Sequence, residues 1–347
     1  MAIVRGAHLV GSLTYPDAES AMRAAAEGMG SLLGRIPDGE PGDRFHWIMF
    51  QPGVLAQAEG IERVGDTPVM VGHLDGRPLR IAEGVDAAGI RFPELGYARA
   101  AAESYVVFRR LRDEGVIAPG TRFQVALPTP TAVIGAFFAG DDRQAIEPVY
   151  RDLVYRELDE VLAAIPHEDL SIQWDCAVEF AVIETHDYPG GSTPWWDGDV
   201  WDGLVSRAAE AIDRVPEDVA AGVHLCYGDV AEKHFIEPRD SANLVRFANE
   251  LTDAATRPID WVHLPVPIER DDDAYYADLE RLAIGDAELY LGLVHREDGV
   301  EGAERRIAVA SRHVARFGVA TECGIGRAPR EATESIFRTH VAVASPR

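Results

Sequence analysis

The sequence predicts an α/β fold, a (β/α)8 barrel, on three observations. Short apolar stretches alternate with longer amphipathic segments; there are eight such stretches; and residues with catalytic chemistry stand at the C-terminal end of nearly every one. A chain of 347 residues suits one such barrel, a fold that closes as a single unit at roughly 200 to 400 residues. Residues 1–347 are therefore expected to form one domain.

The strands are expected at residues 7–13, 33–37, 123–127, 171–175, 222–226, 259–264, 289–295 and 319–322. Helices are expected between them, most clearly at 18–29, 97–114, 147–165 and 303–316. In 147–165, Val149, Leu153, Val154, Leu158, Val161 and Leu162 fall on one helical stripe. Two stretches exceed a minimal barrel. Residues 62–94, rich in Pro and Gly with alternation at 69–71 and 79–81, read as a β-hairpin excursion after the second strand. Residues 185–200, with Tyr188-Pro189-Gly190-Gly191 and Trp195-Trp196, read as a long aromatic loop after the fourth. Both leave from the face on which barrel sites lie, and the loop reads equally as a substrate wall or as self-packed surface.

The formal charge of −25 is spread along the chain without a cluster of Lys and Arg, which excludes a nucleic-acid surface. No apolar run is long enough to span a bilayer, and the first residues lack the apolar core of a signal peptide. Three cysteines, an odd number, argue against a disulfide framework and for the reducing cytoplasm.

The most specific chemistry lies in His224-Leu225-Cys226-Tyr227 and in Cys323. Residues two apart on a strand share a face, so His224 and Cys226 point the same way. Cys323 could complete three corners of a tetrahedral zinc site whose fourth corner stays open for a substrate. The remaining strand ends offer Ser12, Glu40, Thr131, Asp175, His263 and His295. Each alone has a plain structural explanation, such as an apolar-filler Cys or an acidic helix cap. Their joint occurrence on one rim favours a site. Cys176, out of phase with Asp175, reads as structural.

These residues resemble the cobalamin-independent methionine synthase family, specifically its zinc-bearing C-terminal barrel, within the superfamily that also holds uroporphyrinogen decarboxylase. Gly11-Ser12-Leu13 resembles the family's first-strand turn, and Pro37-Asp38-Gly39-Glu40-Pro41 its His-Gly-Glu-Pro segment. Ile172-Gln173-Trp174-Asp175 is similar to Gln-Ile-Asp-Glu-Pro, and His224-Leu225-Cys226-Tyr227 to His-Met-Cys-Tyr. Glu322-Cys323-Gly324-Ile325-Gly326-Arg327 resembles the stretch that carries the last zinc cysteine. The resemblance implies Zn²⁺ on His224, Cys226 and Cys323. It implies Glu40 and Asp175 on the amino group of a homocysteine-like thiol, with Ser12 and Thr131 beside them, and His295 as a proton donor. The partners implied are a small thiol and an alkyl donor, and the activity is zinc-dependent methyl or alkyl transfer to a zinc-held thiolate. Two departures stand out. Pro265 occupies the place of the family's zinc glutamate, leaving either His263 as a fourth ligand or zinc with three protein ligands, and Gly135 occupies the place of the tryptophan that stacks on a pterin. Thiol addition to an epoxide or other electrophile, a lyase reaction and a non-catalytic metal-binding barrel are the alternative readings.

Overall fold

The computed structural model describes residues 2–228 and 233–347; the Arg327 side chain lies outside the described part. Eight parallel strands run in chain order: Ile3–Ala7 (β1), Arg35–Pro37 (β2), Arg122–Pro128 (β3), Leu170–Cys176 (β4), Ala220–Leu225 (β5), Trp261–Pro265 (β6), Glu288–Gly292 (β7) and Arg316–Val319 (β8). Each pairs with its sequence neighbour from β2 through β8, and β8 returns to β1. The β1–β2 seam carries a parallel bridge between Ala7 and Leu33, which curls the sheet on itself. This is the predicted (β/α)8 architecture. No described helix is long and apolar enough to cross a membrane.

Local chemistry explains where the helices begin. Asp17 accepts from the Ser20 N–H at the start of Ala18–Met29, and Asp199 accepts from the Trp201 and Asp202 N–H groups at the start of Val200–Asp213. Thr129 caps Pro130–Phe137, whose proline stands where a missing N–H costs nothing. The helix expected at 147–165 begins earlier and spans Arg143–Ala164, accommodating Pro148 in its first turns.

The first and last strands lie a few residues earlier than the sequence suggested. They pair with each other, Ile3 with Arg316, Val4 with Phe317 and Ala7 with Val319, so one shift imposes the other. Residues 8–13 are as buried as a strand but cross the barrel mouth, where the Leu13 N–H reaches the Gly39 carbonyl. Apolar character there marks burial and not membership of a ladder.

The excursion after β2 is a pair of nested hairpins. Ile61–Arg63 runs antiparallel to Leu79–Ile81, and Met70–Val71 to Leu74–Asp75. The loop at 185–200 folds outward onto the helical layer. The Trp195 indole donates to Glu147 at 2.7 Å, and Arg207 lies over the Trp196 ring at 4.3 Å. Trp195 is buried and fills the space beside Gly135, where an added Cβ would meet its ring at 3.2 Å.

The barrel interior is polar, in contrast with the branched aliphatic filling usual for this fold. Arg35 stacks over Trp261 at 3.9 Å and pairs with Glu288 at 2.6 Å. Gly222 leaves the space that the Trp261 ring occupies. Above this layer lie His8, Gln173 and His263, all fully buried.

Candidate metal centre and active site

β5 presents His224 inward, and the chain leaving its end presents Cys226 on the same side. The loop after β8 brings Cys323 to meet them. One ligand atom from each of the three lies within 4.8 Å of the others. The two sulfurs stand 3.8 Å apart and form no disulfide. Two thiolates bound at 2.3 Å to a tetrahedral ion would stand about 3.8 Å apart, so the spacing fits zinc. The Gly228 N–H donates to the Cys226 sulfur at 3.2 Å, support that favours a thiolate.

His263 holds a different place from the fourth ligand the sequence suggested. Its Nε2 is 3.0 Å from the Thr321 carbonyl, and its Nδ1 is 2.7 Å from Nδ1 of His224. A carbonyl only accepts, so Nε2 carries the proton. Burial lowers the His263 pKa to about 4, which keeps the ring neutral and leaves Nδ1 as an acceptor. His224 must then donate from Nδ1, and its lone pair sits on Nε2, the nitrogen available to a metal. His263 thus orients one ligand while anchoring the loop that carries another.

Glu40 and Asp175 share a cavity of about 370 Å³ with His224, Cys226 and Cys323. The turn that delivers Glu40 is built by Asp38, which accepts from the Glu40 N–H, from Arg44 and from the Ser104 hydroxyl. Gly39 and Glu40 both have positive φ, 81° and 52°. A Cβ at Gly11 would stand 2.6 Å from a Glu40 carboxylate oxygen, so that close approach requires glycine. Trp47, at φ 54°, is the other positive-φ residue that is not glycine among the described residues, and it lines the same cavity. Left-handed backbone costs a non-glycine residue of order 1–3 kcal/mol and tends to gather at functional sites.

Trp47 was not anticipated from sequence, yet its indole N–H donates to Asp175 at 3.1 Å. Gln173 donates to the other Asp175 oxygen at 2.9 Å. The Gln173 amide is itself fixed. Its nitrogen also reaches the Val10 carbonyl, and its oxygen accepts from His8 Nε2 at 2.7 Å. Burial first, then the nearby Glu40 charge, pushes the Asp175 carboxyl well above the usual carboxylate range, while the Gln173 and Trp47 donors pull it back.

Ser12 lines the cavity and also braces the Cys323 loop. Its hydroxyl accepts from the Gly326 N–H, and its carbonyl from the Ile325 N–H. Thr131, expected beside the substrate, is fully buried in the helix Pro130–Phe137 and is not part of the cavity wall. Its neighbour Thr129 instead bonds the buried Glu179, which burial raises to about pH 7. His295 opens on a second cavity, of about 500 Å³, on the other side of Cys323. Its Nε2 donates to the Val266 carbonyl at 2.9 Å, and burial followed by the Arg306 charge lowers its pKa to about 3. In that second cavity His234 stands between Glu237 and Glu322, whose hydrogen bonds overcome the opposing effect of burial and raise it to about 9.

No family profile matches the sequence, and no curated protein does. Solved structures share the fold. A B12-independent methionine synthase from Shewanella sp. W3-18-1, in complex with selenomethionine, superposes with a TM-score of 0.61 at 14% identity, covering 98% of this chain and 96% of that one. A methyltransferase from Methanosarcina mazei superposes with a TM-score of 0.55 at 12% identity, over 98% of this chain and 94% of that one.

Proposed function

We propose that this chain is a zinc-dependent transferase that moves a methyl or other alkyl group onto a small thiol bearing an ammonium group, homocysteine being the example that fits. One observation carries the reading: the His224, Cys226 and Cys323 ligand set opens on the same cavity as two carboxylates, Glu40 and Asp175. The similarity in fold to a methionine synthase and a methyltransferase supports it. Zinc held by these three residues would lower the pKa of an incoming thiol and keep it a nucleophile at neutral pH.

The remaining roles belong to the protein. Glu40 and Asp175 accept charge-assisted hydrogen bonds from the ammonium group and so aim the thiol. Trp47 and Gln173 hold the two Asp175 oxygens in place. Apolar side chains such as Ile48, Val71 and Phe137 exclude water from the carbon under attack. A purely metal-storing barrel has no use for a carboxylate pair beside its ligands.

The test is metal content together with thiol alkylation. Purified protein is expected to hold one zinc per chain, Cys226→Ser and Cys323→Ser to lose it, and both variants to lose transfer. Retention of full metal content by both variants would remove the reading.

A further inference from the structure

β5 ends at Leu225, and just past it the Cys226 N–H reaches back to the Cys176 carbonyl at 3.0 Å. The residue that follows is anchored to the outer helices. Tyr227 is fully buried, and its ring packs on Phe180 with centroids 5.2 Å apart. Its hydroxyl donates to a Glu184 carboxylate oxygen at 3.0 Å, and the Asn243 side-chain amide donates to the same oxygen at 2.9 Å. Glu184 stands near the end of the helix Val178–Thr185, and Asn243 at the start of the helix Ala242–Ala254. Burial, followed by the Glu184 charge, raises the Tyr227 pKa far above its usual range, so the phenol stays a donor. The main chain is tied as well, for the Tyr227 carbonyl accepts from the Phe235 N–H at 2.9 Å. Gly228 then turns the chain back at φ 81°, and that turn aims its N–H at the Cys226 sulfur, 3.2 Å away.

We propose that Tyr227, held by Glu184 and Asn243, is a positioning residue for the metal centre: it fixes the turn that carries Cys226 and so sets how tightly the ligand set holds an ion. The inference rests on the zinc reading above and deepens it, because it names what prepares one of the three ligands. Tyr227 lines neither cavity, so it acts through Cys226 and not on a substrate. A phenylalanine would fill the same ring volume between Phe180 and Phe235. What the hydroxyl adds is direction, since a hydrogen bond to a carboxylate is about twice as strong as a neutral one. A ligand set works only when its atoms are held within about 0.5 Å of their places. A loosened ligand must be ordered again on binding, and that cost appears as lost affinity. His263 prepares His224 from inside the barrel, and Tyr227 prepares Cys226 from the helical layer.

The experiment sets metal affinity against fold stability. Zinc affinity is measured by chelator competition, and stability by urea unfolding of the metal-free protein. Cobalt(II) in the site reports its sulfur ligands through the thiolate charge-transfer band. Tyr227→Phe removes the hydroxyl and leaves the Asn243 bond to Glu184 in place. Its zinc affinity is expected to fall at least about tenfold. The cobalt band should weaken or shift, while the unfolding midpoint stays close to that of the wild type. Glu184→Gln, whose amide oxygen still accepts from the phenol, should keep near-wild-type affinity, whereas Glu184→Leu should resemble Tyr227→Phe. Should Glu184→Leu fold poorly, the contrast between Tyr227→Phe and Glu184→Gln carries the test. Hydrogen exchange at the Gly228 amide of the metal-free protein, expected to speed up in Tyr227→Phe, reads the turn without any metal. Three outcomes would each overturn the inference: zinc affinity of Tyr227→Phe within about twofold of wild type, a loss of affinity matched by an equal loss of stability, or a Glu184→Gln as weak as Glu184→Leu. A wild type that binds no zinc would instead remove the zinc reading. Exchange at Gly228 would then decide the role of Tyr227 by itself, unchanged exchange overturning it.

Discussion

His224 and His263 face each other through their Nδ1 atoms at 2.7 Å, and the far side of the His263 ring bonds the Thr321 carbonyl, two residues before Cys323. One buried imidazole therefore sets the lone pair of one candidate ligand and the course of the loop bearing another. The candidate metal site is organised from beneath, along a direction no local motif records.

Removing this support has a defined signature. In His263→Leu the His224 Nδ1–H loses its acceptor, at a cost of about 1–3 kcal/mol in stability. Zinc affinity, measured by chelator competition, is expected to fall about 10–100-fold. The first shell seen by X-ray absorption should still contain one nitrogen and two protein sulfurs. Loss of a nitrogen from that shell would make His263 a ligand.

Asp175 predicts a pH profile. Its pKa is raised, by burial and then by Glu40, and it must be ionised to hold an ammonium group. Thiol affinity should therefore strengthen as pH climbs through the Asp175 pKa. Trp47→Phe removes a donor that favours the ionised form, so the acid limb of kcat/KM should move to higher pH. An unmoved limb would assign that limb to another group.

Glu179 gives a stability prediction independent of the metal. It is fully buried, bonded to Thr129, and raised from 4.5 to about 7. A raised folded-state pKa means the protonated form suits the fold. Its stabilising contribution is complete below the unfolded value and fades as pH rises through about 7. Glu179→Gln, permanently neutral, should gain on the wild type by about 3 kcal/mol between pH 4 and pH 8. Parallel melting curves at the two pH values would contradict this.

The aromatic loop separates packing from catalysis. Trp195 is buried against Gly135 and Glu147, and Trp196 lies under Arg207 of the helical layer. Trp195→Ala should cost about 3–5 kcal/mol in thermal or denaturant unfolding and leave the KM for thiol close to unchanged. A tenfold rise in KM with stability intact would instead show the loop reaching the substrate.

What the sequence revealed depended on the range of the relationship. Two-residue alternation was enough to place His224 and Cys226 on one side, and the order of strands put Cys323 and Asp175 near them. Trp47 and His8 escaped notice because their partners lie 128 and 165 residues away, at Asp175 and Gln173. The aromatic run Phe45-His46-Trp47, so soon after Glu40, was the one sequence signal that could have pointed to Trp47. His263 was visible as a strand-end imidazole, but its tautomer follows from a carbonyl on another strand's loop. The reach of Thr131 was overestimated for a simpler reason. Strand β3 ends just before it, and the helix that begins at once turns its side chain into the packing.

X-ray absorption at the zinc edge, recorded on the purified protein before and after adding homocysteine, tests the central claim most directly. A site built from His224, Cys226 and Cys323 predicts one nitrogen and two sulfurs from the protein, with a third sulfur joining on thiol addition. A protein without stoichiometric zinc, or a shell whose sulfur count does not change with thiol, would contradict it.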